Sequence, residues 1–248
     1  MSIIPHEKEQ NSRSVAMSYF DYQDALAFRQ MALVHGVDLP KYLLAPEIAV
    51  ILNFLPDLRQ RLFFDTLWNT GARLNECLAL TPVDFDLDNG DRPFVVLRTL
   101  KQRSRGKGRP RKDEAIRRIV PLLDAAYVQR LREYFATVRP LRSARVWGVA
   151  NDETPRNWLK AALNRAERDG VTFTFTDITP RTFRHSFAMH LIQHQVPMKV
   201  VQAYMGHREL SSTEIYTKIF ALDVGQQYGV SFSIPLDAVA SLLGRKQC

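Results

Sequence analysis

The chain has 248 residues, 46% of them apolar, a formal charge of +8 and two cysteines, Cys77 and Cys248. That length suffices for one large domain or two small ones. The composition excludes several classes: no apolar run approaches the ~20 residues of a membrane helix, the polar stretch from Met1 to Arg13 is no secretory signal, and two cysteines without a CxxC pair build neither a disulfide framework nor a zinc site.

In chain order, residues 1–14 read as a disordered lead. Residues 15–36 carry Met17, Phe20, Ala25, Phe28, Met31 and Val34 at helical spacing and stop at Gly36. A helix is predicted from Ala45, interrupted by Pro56. Leu58 to Thr70 is strongly apolar and ends at Gly71, a natural stop. Leu74 to Leu80 continues as a helix and closes at Thr81-Pro82. Cys77, inside that pattern, is a small core residue. Phe94-Val95-Val96-Leu97 and Ile116 to Leu122 have strand composition. Further helices are predicted at 124–138, 154–169, 181–194 and 199–205. The predicted fold is mainly α with a small antiparallel sheet.

The basic residues are concentrated. From Arg98 to Arg118 ten cations face only Asp113 and Glu114, a surplus equal to the whole formal excess of +8. Such a block points to a polyanion, most commonly nucleic acid. The candidate contacts are Arg98, Arg103, Arg105, Lys107, Arg109, Arg111 and Lys112, on a long connection between two strands.

Three short segments carry chemistry: Thr70-Gly71-Ala72-Arg73-Leu74-Asn75-Glu76, Thr179-Pro180-Arg181-Thr182-Phe183-Arg184-His185-Ser186-Phe187, and the run from Met205-Gly206-His207 to Tyr216-Thr217. In the first, a glycine ends one helix and an arginine opens the next; a planar guanidinium there can hold two phosphate oxygens. Glu76, one turn on, can buttress that arginine. His190 and His194 are four apart on one predicted helix, but without a third ligand they read as packing residues. With no Walker loop and no GxGxxG motif, no nucleotide cofactor is expected.

Together these segments resemble the signature boxes of the tyrosine recombinases, the phage integrase family, over about residues 44–220. The resemblance implies a tyrosine-recombinase catalytic domain fold. Within it, Arg73 and Arg184 clamp the scissile phosphate, His207 contacts it, and Tyr216 is the nucleophile. A phenol titrates near 10 in its reference state, and surrounding arginines favour both the phenolate and the charged transition state. Lys101, at the end of the first strand, takes the place of the family's general acid, preferred over Lys107 because the strand register fits. Arg181 stands where the family has histidine; it can donate hydrogen bonds but cannot accept a proton near neutrality.

The resemblance further implies strand exchange through a 3′-phosphotyrosyl link, without metal or other cofactor. The expected partner is double-stranded DNA with specific paired sites, bound by a homotetramer that is a monomer when free, with no membrane and a cytoplasmic location. Residues 1–43 are expected to form a partly helical, reduced core-binding region, 44–222 the catalytic domain, and 223–248 a tail with a short helix for subunit contact. Outcomes of resolution, inversion and integration all stay open. So do two rivals: a type IB topoisomerase using similar chemistry, and a DNA-binding regulator that kept the fold and lost catalysis.

Overall fold

A computed structural model of the chain describes residues 22–34, 40–90, 92–99, 116–207, 209 and 213. The helices among them are α1 (Tyr22–Val34), α2 (Ala45–Asn53), α3 (Leu58–Thr70), α4 (Leu74–Leu78), α5 (Ala125–Val138), α6 (Glu153–Arg168), α7 (Pro180–Gln193) and α8 (Met198–Met205). The strands are β1 (Phe85–Asp86), β2 (Phe94–Thr99) and β3 (Ile116–Pro121).

The helix α3 spans the stretch its apolar pattern predicts, and its ends have local causes. The Asp57 carboxylate accepts from the backbone N–H groups of Arg59 and Gln60, capping the first turn. At the other end Gly71 adopts φ 58° and donates its N–H to the Leu67 carbonyl. A side chain there would be strained by the left-handed backbone and would also run into the Phe187 ring. Leu62, Phe63, Phe64 and Leu67 of α3 are buried, and the helix packs against α2, α4, α5 and α7. Phe63 meets Trp147 edge-on at 5.8 Å, and Trp147 donates its indole N–H to the Cys77 carbonyl at 3.0 Å. Cys77 is a buried core residue, as its helical context suggests.

The three strands form one antiparallel sheet in the order β1-β2-β3. Leu97 lies opposite Arg118, and Arg98 opposite Arg117. The two-residue β1 is absent from the sequence prediction because it is too short to show alternation. The helix predicted over Leu74 to Leu80 ends earlier, at Leu78. No described helix is long and apolar enough to cross a membrane.

Within the N-terminal region, α1 docks on the same core: Ala25 and Arg29 are buried, and Tyr22 and Leu26 pack against it. Arg29 makes a two-pronged pair with Glu47 of α2, at 2.9 Å on each oxygen. It also donates to the Tyr42 carbonyl at 3.2 Å and to the Thr174 hydroxyl at 2.5 Å. One guanidinium thus ties α1, α2 and the segment before α7 together.

Candidate active site

Four of the sequence candidates, Arg73, Glu76, Arg184 and His207, converge where the turn after α3, the start of α7 and the end of α8 meet. Arg73 follows the Gly71 stop and opens α4. Its backbone N–H donates to Glu76 Oε2 and its Nη1 to Glu76 Oε1, both at 2.8 Å. Arg184 lies one turn into α7, which begins at Pro180 behind Thr179. It is buried, and its guanidinium donates to the carbonyls of Gly71 and Met205. The helix α8 ends at Gly206, in the left-handed region at φ 62°, so the chain reverses and presents His207 beside these arginines.

The carbonyls at the end of a helix lack intrahelical donors and carry the negative end of its dipole. Here three successive ones each receive an arginine. Arg118 Nε donates to Tyr204 at 2.8 Å, Arg184 Nη2 to Met205 at 2.5 Å, and Arg73 Nη2 to Gly206 at 3.3 Å. The three cations come from β3, α7 and the residue that opens α4.

Glu76 is the counter-charge. It is buried and sits between Arg73 and Arg118, with Arg118 Nη1 and Nη2 on its two oxygens at 2.9 and 2.6 Å. The Thr99 hydroxyl also donates to Oε1 at 2.8 Å. Burial opposes ionisation of this carboxyl, but the hydrogen bonds and charges of Arg118 and Arg73 outweigh it and hold its pKa down to about 2. His207 is pushed the other way, to about 4, first by burial and then by Arg184, Arg73 and Arg118. It is a neutral imidazole at pH 7, with Nδ1 2.9 Å from the Thr213 hydroxyl. Such a group adds a hydrogen bond to a cationic pocket without adding charge.

Arg181 is exposed on the first turn of α7 and donates from Nε to His185 Nε2 at 3.1 Å. His185 is held neutral, with a pKa of about 4, by burial and by Arg181, Arg184 and His207. Sequence reasoning found Arg181 but passed over His185, the proton-accepting ring beside it.

Arg98 points from the outer face of β2 and pairs with the buried Asp84 at 2.6 Å, leaving its side chain half exposed. Lys101, Arg103, Arg105, Lys107, Arg109, Arg111, Lys112 and Tyr216 lie outside the described residues. The His190 ring packs at a tilt of 53° against both Trp68, at 4.9 Å, and His194, at 4.2 Å. Among the described residues no group of three His, Cys, Asp or Glu side chains could hold a metal.

Arg118 is the residue the sequence reading missed, counted only as one cation of the basic block. A signal existed. On β3 it shares the alternate register of Val120, which is fully buried. An arginine on the inward register of a strand needs an internal anion.

Comparison with known proteins identifies the family and the fold. Residues 41–222 match the model of the phage integrase family. A resolvase of Escherichia coli is 47% identical over 98% of this chain and 96% of its own. A probable site-specific recombinase from the afa region of E. coli is 49% identical over 86% of this chain and 84% of its own. The tyrosine recombinase XerD of Corynebacterium glutamicum is 33% identical over 75% of this chain and 59% of its own. Among solved structures, the XerA recombinase superposes with a TM-score of 0.57 at 21% identity, over 78% of this chain and 65% of that one; at that identity the likeness speaks for the fold. With a family match over most of its length and relatives near half identity across nearly all of it, the chain belongs to the phage integrase family of site-specific recombinases.

Proposed function

We propose that the chain cuts and rejoins DNA at specific paired sites, with Tyr216 attacking the scissile phosphate to form a 3′-phosphotyrosyl link. In this reading Arg73 and Arg184 stabilise the phosphate's developing charge, and His207 donates a hydrogen bond to it. Lys101 protonates the leaving 5′ oxygen. Arg181 adds positive charge at the start of α7, and Glu76 sets the aim of Arg73. The ester stores the energy needed for religation, so the chemistry calls for neither nucleotide nor metal.

The observation that carries this reading is the three-arginine cluster around a neutral His207. Chain connectivity limits how far the remaining candidates can lie from it. Thr213, bonded to His207, precedes Tyr216 by three residues, a tether of about 10 Å at full extension. Thr99, bonded to Glu76, precedes Lys101 by two, a tether of about 7 Å.

The solved recombinases similar in fold include XerH bound to its difH substrate before cleavage, with a TM-score of 0.54. That supports double-stranded DNA as the partner here. We assign residues 1–43 to a reduced core-binding region, 44–222 to the catalytic domain and 223–248 to subunit contact in a homotetramer on DNA, in the cytoplasm. The resolvase and recombinase relatives favour site-specific exchange over supercoil relaxation.

The test uses nicked suicide duplexes tiled through the DNA flanking the gene. Wild-type protein is expected to form a covalent protein–DNA adduct on one of them, and Tyr216→Phe none. An adduct that persists in Tyr216→Phe removes Tyr216 as the nucleophile. Deletion or inversion between two copies of the reactive duplex separates a recombinase from a topoisomerase.

A further inference from the structure

Arg118 makes four hydrogen bonds with one planar group. Nε donates to the Tyr204 carbonyl at 2.8 Å, Nη1 to Glu76 Oε1 at 2.9 Å and to the Thr99 hydroxyl at 3.0 Å, and Nη2 to Glu76 Oε2 at 2.6 Å. These bonds join β2, β3, α4 and the end of α8. Only 8% of its side chain is exposed, against 39% for Arg73. All three of its nitrogens already donate to protein acceptors.

A buried ion pair is weak evidence of a stabilising role, because desolvation offsets most of the Coulombic gain. What sets this one apart is what it touches. Glu76 accepts both from the Arg73 backbone and from its guanidinium. The Tyr204 carbonyl sits two residues before Gly206, whose own carbonyl receives Arg73. Gly206 records the closeness of fit: a Cβ added there would lie 2.9 Å from Arg118 Cδ and 3.1 Å from Nη1. The backbone bearing His207 lies directly against the Arg118 side chain.

We propose that Arg118 is a positioning residue of the DNA-cleaving site, acting through Glu76 on Arg73 and through the Tyr204–Gly206 backbone on His207. The proposal rests on the assignment of Arg73, His207 and Tyr216 to the reaction. With Arg118 in place, Glu76 divides its charge between two arginines and Arg73 can still reach the Gly206 carbonyl. Without it, Glu76 has Arg73 as its one described cationic partner, and the carbonyl end of α8 loses one of its three donors. Lysine cannot replace it: one ammonium cannot span the carboxylate and the Tyr204 carbonyl in the fixed plane that the guanidinium provides.

The experiment compares wild type, Arg118→Gln, Arg118→Lys and the Tyr216→Phe control. It reads single-turnover adduct formation on the reactive suicide duplex, non-covalent binding to the same duplex without the nick, and the NMR titration of His207 in free protein. Displaced site geometry is expected to slow adduct formation by about 10- to 100-fold in both Arg118 variants, with non-covalent binding near the wild-type level. Removing a nearby cation eases protonation of His207, so in Arg118→Gln its titration is expected above the wild-type value of about 4. If Arg118→Gln does not fold, Arg118→Lys decides, since it keeps a cation against Glu76. A folded Arg118→Lys cleaving at the wild-type rate overturns the proposal, as does an unmoved His207 titration in folded Arg118→Gln. Equal loss of binding and cleavage also overturns it, by marking a general structural role. An adduct in Tyr216→Phe is a separate failure, of the nucleophile assignment and not of Arg118.

Discussion

Glu76, His207 and His185 together make the site sensitive to acid. The pKa of Glu76 falls from an ordinary 4.5 to about 2 in the folded protein, so folding favours its ionised form. The sign follows from linkage: the stabilisation is complete above about pH 4.5 and is lost as pH falls towards 2. A shift of that size corresponds to about 3 kcal/mol. His207 and His185 add an earlier loss. Both titrate near 4 when folded against 6.5 in the reference state, so stability declines as pH drops from 6.5 towards 4. Replacing Glu76 with Gln at pH 7 leaves Arg73 and Arg118 without their carboxylate and is expected to destabilise by about 3 kcal/mol. Melting curves of wild type and Glu76→Gln should converge as pH is lowered from 4.5 to 2. A constant gap across that range would show that the charge of Glu76 is not what stabilises.

At the scale of elements, the sequence was most legible where periodicity and stop signals coincide. The limits of α3 follow from Asp57, an apolar face and Gly71, all readable in one dimension. The β2–β3 hairpin was legible from Val95-Val96 and from Ile119-Val120, because strand composition is a local property. The Arg29–Glu47 pair was not legible. It links residues 18 apart on different helices, and neither helix pattern marks a charged residue for burial. Likewise, that Arg118, Arg184 and Arg73 reach successive carbonyls of α8 depends on three separate elements meeting, which no spacing encodes. The docking of α1 provides a test at this scale. Truncating Arg29 to Ala leaves Glu47 buried and uncompensated and should destabilise by about 3–5 kcal/mol. In the double variant Arg29→Met/Glu47→Gln, most of that loss should return, measured by urea unfolding. Equal losses in single and double variants would mean that the pair's charges are irrelevant to how α1 is held.

Across the whole molecule, the positive charge is concentrated in one stretch, from Arg98 on β2 to Arg118 on β3. Arg98 and Arg117 lie directly opposite each other on β2 and β3, both exposed. Like charges so placed repel; Asp84 offsets one of them, and a DNA backbone would offset both. Between these strands run Arg103, Arg105, Lys107, Arg109, Arg111 and Lys112. If all six touch phosphates, deleting 102–112 should reduce the slope of log affinity against log salt by about five. Binding measured between low and moderate salt provides the check, and an unchanged slope would remove this connection from the DNA interface.

The arginines that cap α8 also bear on how the site can vary through descent. Their acceptors are the main-chain carbonyls of Tyr204, Met205 and Gly206, and an ordinary side-chain substitution cannot delete a carbonyl. Tyr204 is only partly buried, so its identity can drift while its contribution to the site is inherited unchanged. Gly206 is the exception, since both its φ of 62° and the nearness of Arg118 exclude a side chain. Mutational tolerance along this turn should therefore be broad at Tyr204 and nearly nil two residues later, although both serve the site through the same kind of atom.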